Sequence, residues 1–230
     1  MTGRVAIVSG GTGALGQSVV TRMLAAGAHV WIPYAVPAEL DALRARLGAG
    51  AGARLDAVLT DVTDEAGFGA LVQRVLAAHG KLDVLVNGVG GFAGGDLVTT
   101  SLAEWDQMMN LNLRSVAIGC RGVLPAMTAA GFGRIVNIAS RAALPPMGGF
   151  IAYTVAKAGV VTLTQALAKE VRRGVTVNAV APSTMDTPAN RRAMPDADRS
   201  TWVTTDAVAE VIAYLASESA SMISGVIIPV

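Results

Sequence analysis

One cysteine, two histidines and three lysines are all that 230 residues contain of those types, and aromatic residues make up only 4%. A lone cysteine allows no internal disulfide, as expected in a reducing cytoplasm. Cys120 reads as a small buried apolar residue in a helix. There is no Cys/His cluster, so no metal site is expected, and His29 and His79 read as structural or solvated. Charged residues are also scarce, at 15%, and the net charge is +1 with scattered arginines. That balance argues against a nucleic-acid surface. No window holds the roughly 18 uninterrupted apolar residues that a membrane-spanning helix needs. The opening stretch, MTGRVAIVSGG, has too short an apolar run for a signal peptide. No membrane partner is expected.

What the chain has in excess is apolar material: 52% hydrophobic residues and a mean hydropathy of +0.50. One monomer's core does not need that much, so extensive contacts between subunits are expected. At 23.4 kDa the chain fits a single domain. Short apolar runs alternate with longer helical patterns, the rhythm of a parallel sheet covered by helices on both faces. Strands are expected at Val5–Ser9, His29–Ile32, Arg54–Leu59, Leu82–Asn87, Arg134–Ser140, Val175–Ala181 and Val226–Pro229. Helices are expected at Leu15–Ala26, Pro37–Leu47, Glu65–Ala78, Leu102–Ala130 (with a kink at Pro125), Tyr153–Arg172 and Asp206–Ala216. Seven strands with right-handed crossovers give an α/β, doubly wound, Rossmann-type parallel sheet in one domain. One segment breaks the rhythm. Residues 183–203, just after Pro182, include Pro188 and Pro195, are too long for an ordinary connection, and read as a substrate lid.

The first strand runs into Ser9-Gly10-Gly11-Thr12-Gly13-Ala14-Leu15-Gly16. Gly11, Gly13 and Gly16 satisfy G-x-G-x-x-G between a strand and a helix, the context in which the motif binds a dinucleotide pyrophosphate. Free N–H groups at the helix N-terminus would hold the anion, which makes Gly10, Gly11, Gly13, Leu15 and Gly16 cofactor candidates. Dinucleotide binders usually keep an acidic residue about twenty positions on, for the adenosine ribose. Here the second strand ends at Tyr34, with neither carboxylate nor arginine, and Glu39 falls inside the next helix. NAD and NADP therefore stay equally open, and weak discrimination between them is expected.

Tyr153 and Lys157 form the second signal. The chain writes its positive charge almost wholly as arginine, yet keeps a lysine one helical turn after a tyrosine. Residues i and i+4 share a helix face. A phenol of unperturbed pKa about 10 is a poor acid–base group near neutrality. An ammonium beside it favours the phenolate and lowers that pKa toward a useful range. Ser140 lies 13 residues earlier at the carboxyl end of a strand, where ligands of open α/β sheets bind.

Taken in order, these signatures resemble the short-chain dehydrogenase/reductase family along nearly the whole chain. They are SGGTGALG at the turn, Asp61-Val62 after the third strand and Asn87-Gly88-Val89-Gly90 after the fourth. Asn112 in the long helix, Ser140, Tyr153-x-x-x-Lys157 and Asn178-Ala-Val-Ala-Pro182 follow. The resemblance implies an NAD(P)-dependent oxidoreductase interconverting a small ketone and a secondary alcohol. Tyr153 would be general acid/base, with Ser140 bonding the substrate oxygen. Lys157 would hold the nicotinamide ribose, and Asn112 a water beside that lysine. Asp61, Val62, Asn87, Gly88 and Pro182 would join Tyr34 and the glycine turn around the cofactor. A homotetramer built on the helices of Asn112 and Tyr153 is implied as well.

The chain departs from the family pattern at Ser9, Ala14, Gly88, Val89 and Ser183, and it stops at Val230, where relatives run a few residues further. The segment Asp186–Trp202 is also similar to quinonoid dihydropteridine reductases, which makes that activity an alternative. Those enzymes typically lack the serine kept here as Ser140 and carry an acidic residue at Tyr34. A non-catalytic nucleotide-sensing regulator on the same fold is the alternative of another class. It has no use for an acid catalyst.

Overall fold

Val5–Ser9 (β1) is buried at every position, and its side chains alternate between two cores, as the two-residue period of a strand requires. Val5 and Ile7 face one core; Ala6 and Val8 face the other. The computed structural model describes residues 1–171 and 173–230, leaving aside the side chains at 49–51. The remaining strands of the main sheet are β2 (His29–Tyr34), β3 (Leu55–Leu59), β4 (Val84–Asn87), β5 (Gly133–Ile138), β6 (Val175–Ala181) and β9 (Ile227–Pro229). Their spatial order is β3-β2-β1-β4-β5-β6-β9. Every neighbouring pair is parallel. The order reverses between β1 and β4, and the crevice beyond their carboxyl ends is where such sheets take ligands.

Helices cover both faces. Those on one side are α1 (Ala14–Ala25), α2 (Pro37–Leu47) and α8 (Thr205–Leu215); on the other are α3 (Glu65–His79), α5 (Ser115–Ala130) and α6 (Ile151–Glu170). α3 starts where the Asp64 carboxylate accepts from the Ala66 and Gly67 amides, and it ends at Gly80 in the left-handed conformation (φ +68°). α4 (Leu102–Met109) starts with a reciprocal cap between Ser101 and Glu104.

The seven-stranded parallel sheet agrees with the sequence expectation, and the differences are local. β2 runs on to Tyr34, pairing Pro33 with Val58. β5 stops at Ile138, so Ser140 sits just past the strand rather than closing it. α6 begins at Ile151, and the expected helix end at Arg172 lies outside the described residues. The long helix passes Pro125 without interruption. It departs from α geometry instead at a wide π turn, Asn110–Arg114. The segment 183–203 carries structure of its own. A parallel pair, β7 (Met185–Asp186) and β8 (Val203–Thr204), flanks the short helix α7 (Pro188–Ala193). A bidentate Arg191–Asp186 ion pair ties that excursion together.

α6 is long and apolar enough to cross a membrane by length and composition alone. Its place is against β6, where buried residues such as Lys157, Val160 and Thr164 make it a sheet-covering helix.

Candidate active site

The glycine turn is built by close backbone approach. Gly10 has φ +68°. A Cβ on Gly16 would fall 1.9 Å from the Gly10 carbonyl oxygen, so the turn accepts no side chain there. Gly88 of the β4 loop presses against the same turn, its amide donating to the Ser9 carbonyl and hydroxyl, both at 3.2 Å. Gly13 is the N-cap of α1 and offers no side-chain cap, which leaves the helix's first N–H groups without a side-chain partner of their own. The residues therefore fit a dinucleotide pyrophosphate: a side-chain-free cradle at a helix N-terminus.

Tyr34 ends β2, half-buried. Glu39 lies inside the next helix, α2, as expected, and from there it accepts a hydrogen bond from Thr12 of the glycine turn at 2.8 Å. The fold thus brings a carboxylate to the turn that the sequence lacked at Tyr34. Asp61 is exposed, and its carboxylate accepts from the Thr63 amide (2.8 Å) and hydroxyl (2.7 Å), bonds that hold it below the usual carboxylate range. Val62 is buried in the core. The Asn87 side chain points into the protein, donating to Asn137 at 2.9 Å. Asn137 in turn donates to Thr164 of α6 at 3.0 Å. That chain of bonds locks β4, β5 and α6 in place behind the cleft. Cys120 joins it within 3.5 Å of the Asn87 amide, and burial pushes its thiol up to about 12.

Around Tyr153 the expected residues converge. The Lys157 Nζ lies 5.9 Å from the Tyr153 ring centre and donates to the Ile138 carbonyl at 2.8 Å. A Cβ on Gly90 would meet both Asn112 Oδ1 (2.7 Å) and Lys157 Nζ (3.3 Å), so these two polar groups flank one glycine. Asn112 sits in the π turn, fully buried. Its amide donates to the Met108 carbonyl at 3.1 Å, and its carbonyl accepts from the Gly91 amide at 3.2 Å. Ser140 accepts from the Ala142 amide at 3.2 Å, and the amide of the next residue, Arg141, donates to the Pro182 carbonyl at 3.0 Å. The loops after β5 and β6 are therefore tied together at the cleft.

The electrostatics differ from the expected pattern. Burial raises the Tyr153 phenol above its ordinary value, and the Ser140 side chain offsets only part of that rise. Lys157 is itself so buried that its pKa falls to about 8. In the protein alone the phenol is thus a protonated donor at neutral pH, since burial adds to an ordinary value that already lies near 10.

Sequence reasoning missed the aromatic surround. Phe92 packs edge-on to Tyr153 with ring centres 5.2 Å apart, and Phe150 stands 6.3 Å from it. The loop after β4 reaches them because Gly95 donates to the Gly149 carbonyl (2.8 Å) and accepts from the Ile151 amide (3.0 Å). Phe92 is 66% exposed all the same, so it presents an apolar ring to whatever enters. The scarcity of aromatics was the one available hint.

A protein-family model, short chain dehydrogenase, matches residues 4–198. The chain is 36% identical to cis-4-hydroxycyclohexanecarboxylate dehydrogenase of Sinomonas cyclohexanicum, over 99% of this chain and 94% of that protein. It is 34% identical to 2-(R)-hydroxypropyl-CoM dehydrogenase of Xanthobacter autotrophicus, over 96% of this chain and 94% of that protein. The solved structure of levodione reductase superposes with a TM-score of 0.91 at 28% identity, covering 100% of this chain and 96% of that one.

Proposed function

The chain belongs to the short-chain dehydrogenase family, and from that premise we propose an NAD(P)-dependent oxidoreductase that interconverts a ketone and a secondary alcohol. The observation that carries this reading is the half-buried Tyr153 with the Lys157 ammonium 5.9 Å from its ring centre, an ammonium bonded in turn to the Ile138 carbonyl two residues before Ser140. When bound, the dinucleotide supplies or accepts the hydride. Gly10, Gly11, Gly13, Leu15 and Gly16 cradle its pyrophosphate, with Tyr34, Asp61, Val62, Asn87, Gly88 and Pro182 around it. Ser140 donates to the substrate oxygen, and Tyr153 passes its proton to that oxygen as alkoxide character develops. Lys157 supplies positive charge to the phenol and holds the ribose, while Asn112 fixes the backbone beside it. In the reverse direction Tyr153 takes the proton back.

Phe92 and Phe150 favour a carbonyl compound with an apolar, ring-sized body, since such rings stack well on aromatic edges. The Glu39 carboxylate at the turn tilts the cofactor toward NAD by repelling a 2′-phosphate. The excursion at 183–203 acts as the substrate lid. The outer groove of α5 and α6, lined by Ala117, Cys120, Leu124, Ala129, Leu163 and Leu167, supports a homotetramer built on these helices, in keeping with the apolar excess. A cytoplasmic location accords with the single buried thiol.

Steady-state assays with NADH and NADPH against aliphatic and cyclic ketones, with a quinonoid dihydropterin as the competing substrate, test the proposal. Turnover of cyclic ketones is expected. Turnover confined to the pterin would transfer the reading to dihydropteridine reduction. No turnover beside tight dinucleotide binding would transfer it to a nucleotide sensor.

A further inference from the structure

The chain's only two histidines meet at the far end of the sheet from Tyr153. His29 begins β2, and Trp31, two residues on, shares its face. Asp56 of β3 lies in register with Trp31 and so points to that face too. α3 covers it and ends at His79. His29 Nε2 is 2.6 Å from Asp56 Oδ2, the two imidazole centres are 4.3 Å apart, and the Trp31 indole donates to His79 Nε2 at 3.0 Å. One ligand atom from each of His29, Asp56 and His79 lies within 4.8 Å of the other two. We infer that these three side chains form a binding site for a divalent transition-metal ion of the zinc type.

The donor set is the reason for that class of ion. Two imidazole nitrogens and one carboxylate oxygen suit zinc, cobalt and nickel, whereas calcium and magnesium take oxygen ligands almost exclusively. The side chains of His29 and Asp56 are 24% and 48% exposed, which opens a route for the ion and leaves a fourth position for water. An ion bonded at about 2.0–2.2 Å replaces the hydrogen shared by His29 and Asp56 if the pair opens by roughly 0.7 Å. Lys81, two residues after His79 and ion-paired with Asp83, adds positive charge nearby, and Arg74 lies over the Trp31 ring, 5.9 Å away. Both oppose a cation and limit its affinity.

Trp31 makes the site self-reporting. If the ion takes His79 Nε2, the indole loses its acceptor. If it takes Nδ1, the imidazole proton moves to Nε2 and faces the indole N–H. The Trp31–His79 bond is lost in both cases.

The test uses the purified, chelator-stripped protein with Co²⁺ and Zn²⁺ as probes. Saturable one-to-one Co²⁺ binding is expected, with the visible absorption of nitrogen–oxygen ligation and a change in tryptophan fluorescence. Trp31→Phe should lose the fluorescence change but keep the absorption. His29→Gln, Asp56→Asn and His79→Gln should each weaken binding by roughly tenfold or more, and each should lose most of the rise in unfolding temperature that Zn²⁺ gives the wild type and Trp31→Phe. The exposed Asp56→Asn preserves shape, so it decides the matter even if a histidine variant fails to fold. Absence of saturable binding, or Asp56→Asn and His79→Gln binding Co²⁺ as the wild type does, would overturn the site.

Discussion

Lys157, on the middle of α6, donates to the carbonyl oxygen of Ile138 at 2.8 Å, two residues before Ser140. That bond fastens the helix bearing Tyr153 to the end of the strand that delivers Ser140. It leaves the ammonium in a nearly water-free site, and so joins position and charge in one side chain.

Replacing Lys157 by Arg should therefore do more than preserve charge. The planar guanidinium cannot occupy the compact site against Ile138, so kcat should fall sharply while circular dichroism stays native. Tyr153→Phe should lower kcat by about 10²–10⁴-fold. The double variant should lose little more than the worse single one, because the two act as a unit. Near wild-type turnover in Lys157→Arg would show the lysine to be dispensable.

The pH dependence follows from the same burial. With its pKa at about 8, Lys157 is an ammonium below that pH and loses its charge as pH rises through it. In the direction of ketone reduction, kcat/KM for the dinucleotide reports the free enzyme and should decline above about pH 8. Lys157→Gln should be slower and should lack that decline. For alcohol oxidation the raised phenol must first ionise, so kcat should climb with pH through the alkaline range. A flat profile in both directions would separate these residues from the rate.

Cofactor choice is open to two substitutions. Glu39→Gln removes the carboxylate bonded to Thr12 and should shift the NADPH-to-NADH preference toward NADPH. Tyr34→Asp adds a repelling charge at the end of β2 and should shift it toward NADH. Titrating both dinucleotides into the three proteins measures the ratios, and an unmoved ratio in both variants would put the adenosine ribose elsewhere.

Light scattering checks the assembly. A tetramer is expected at micromolar concentration, and Leu163→Arg, which adds a second charge to the largely apolar α5–α6 groove that Arg121 also lines, should lower the measured mass. A monomeric wild type, or an unchanged mass in the variant, would point to a different interface or none.

Much of this protein depends only on near neighbours and was legible for that reason. Fully buried runs such as Val5–Ser9 specify strands of a covered parallel sheet, and the glycine turn marks its own strand–turn–helix junction. Tyr153 and Lys157 share a face because helix geometry leaves them no alternative. The expected helix starts at Glu65 and Leu102 hold, and the structure shows why: Asp64 and Ser101 cap them through bonds that reach only two or three residues. The rest required the chain to be folded. The meeting of Phe92 with Tyr153, of Glu39 with Thr12 and of His29 with His79 depends on which loops, strands and helices become neighbours. A single sequence records periodicity along an element but not the register between elements. Asp56 faces the histidines because β3 pairs with β2 at Trp31, and a slip of one residue would turn it away. The raised phenol and the depressed lysine likewise come from water excluded by distant segments. The sequence determined the chemical groups and their local faces, while the tertiary structure decided which groups meet and how much water stays between them.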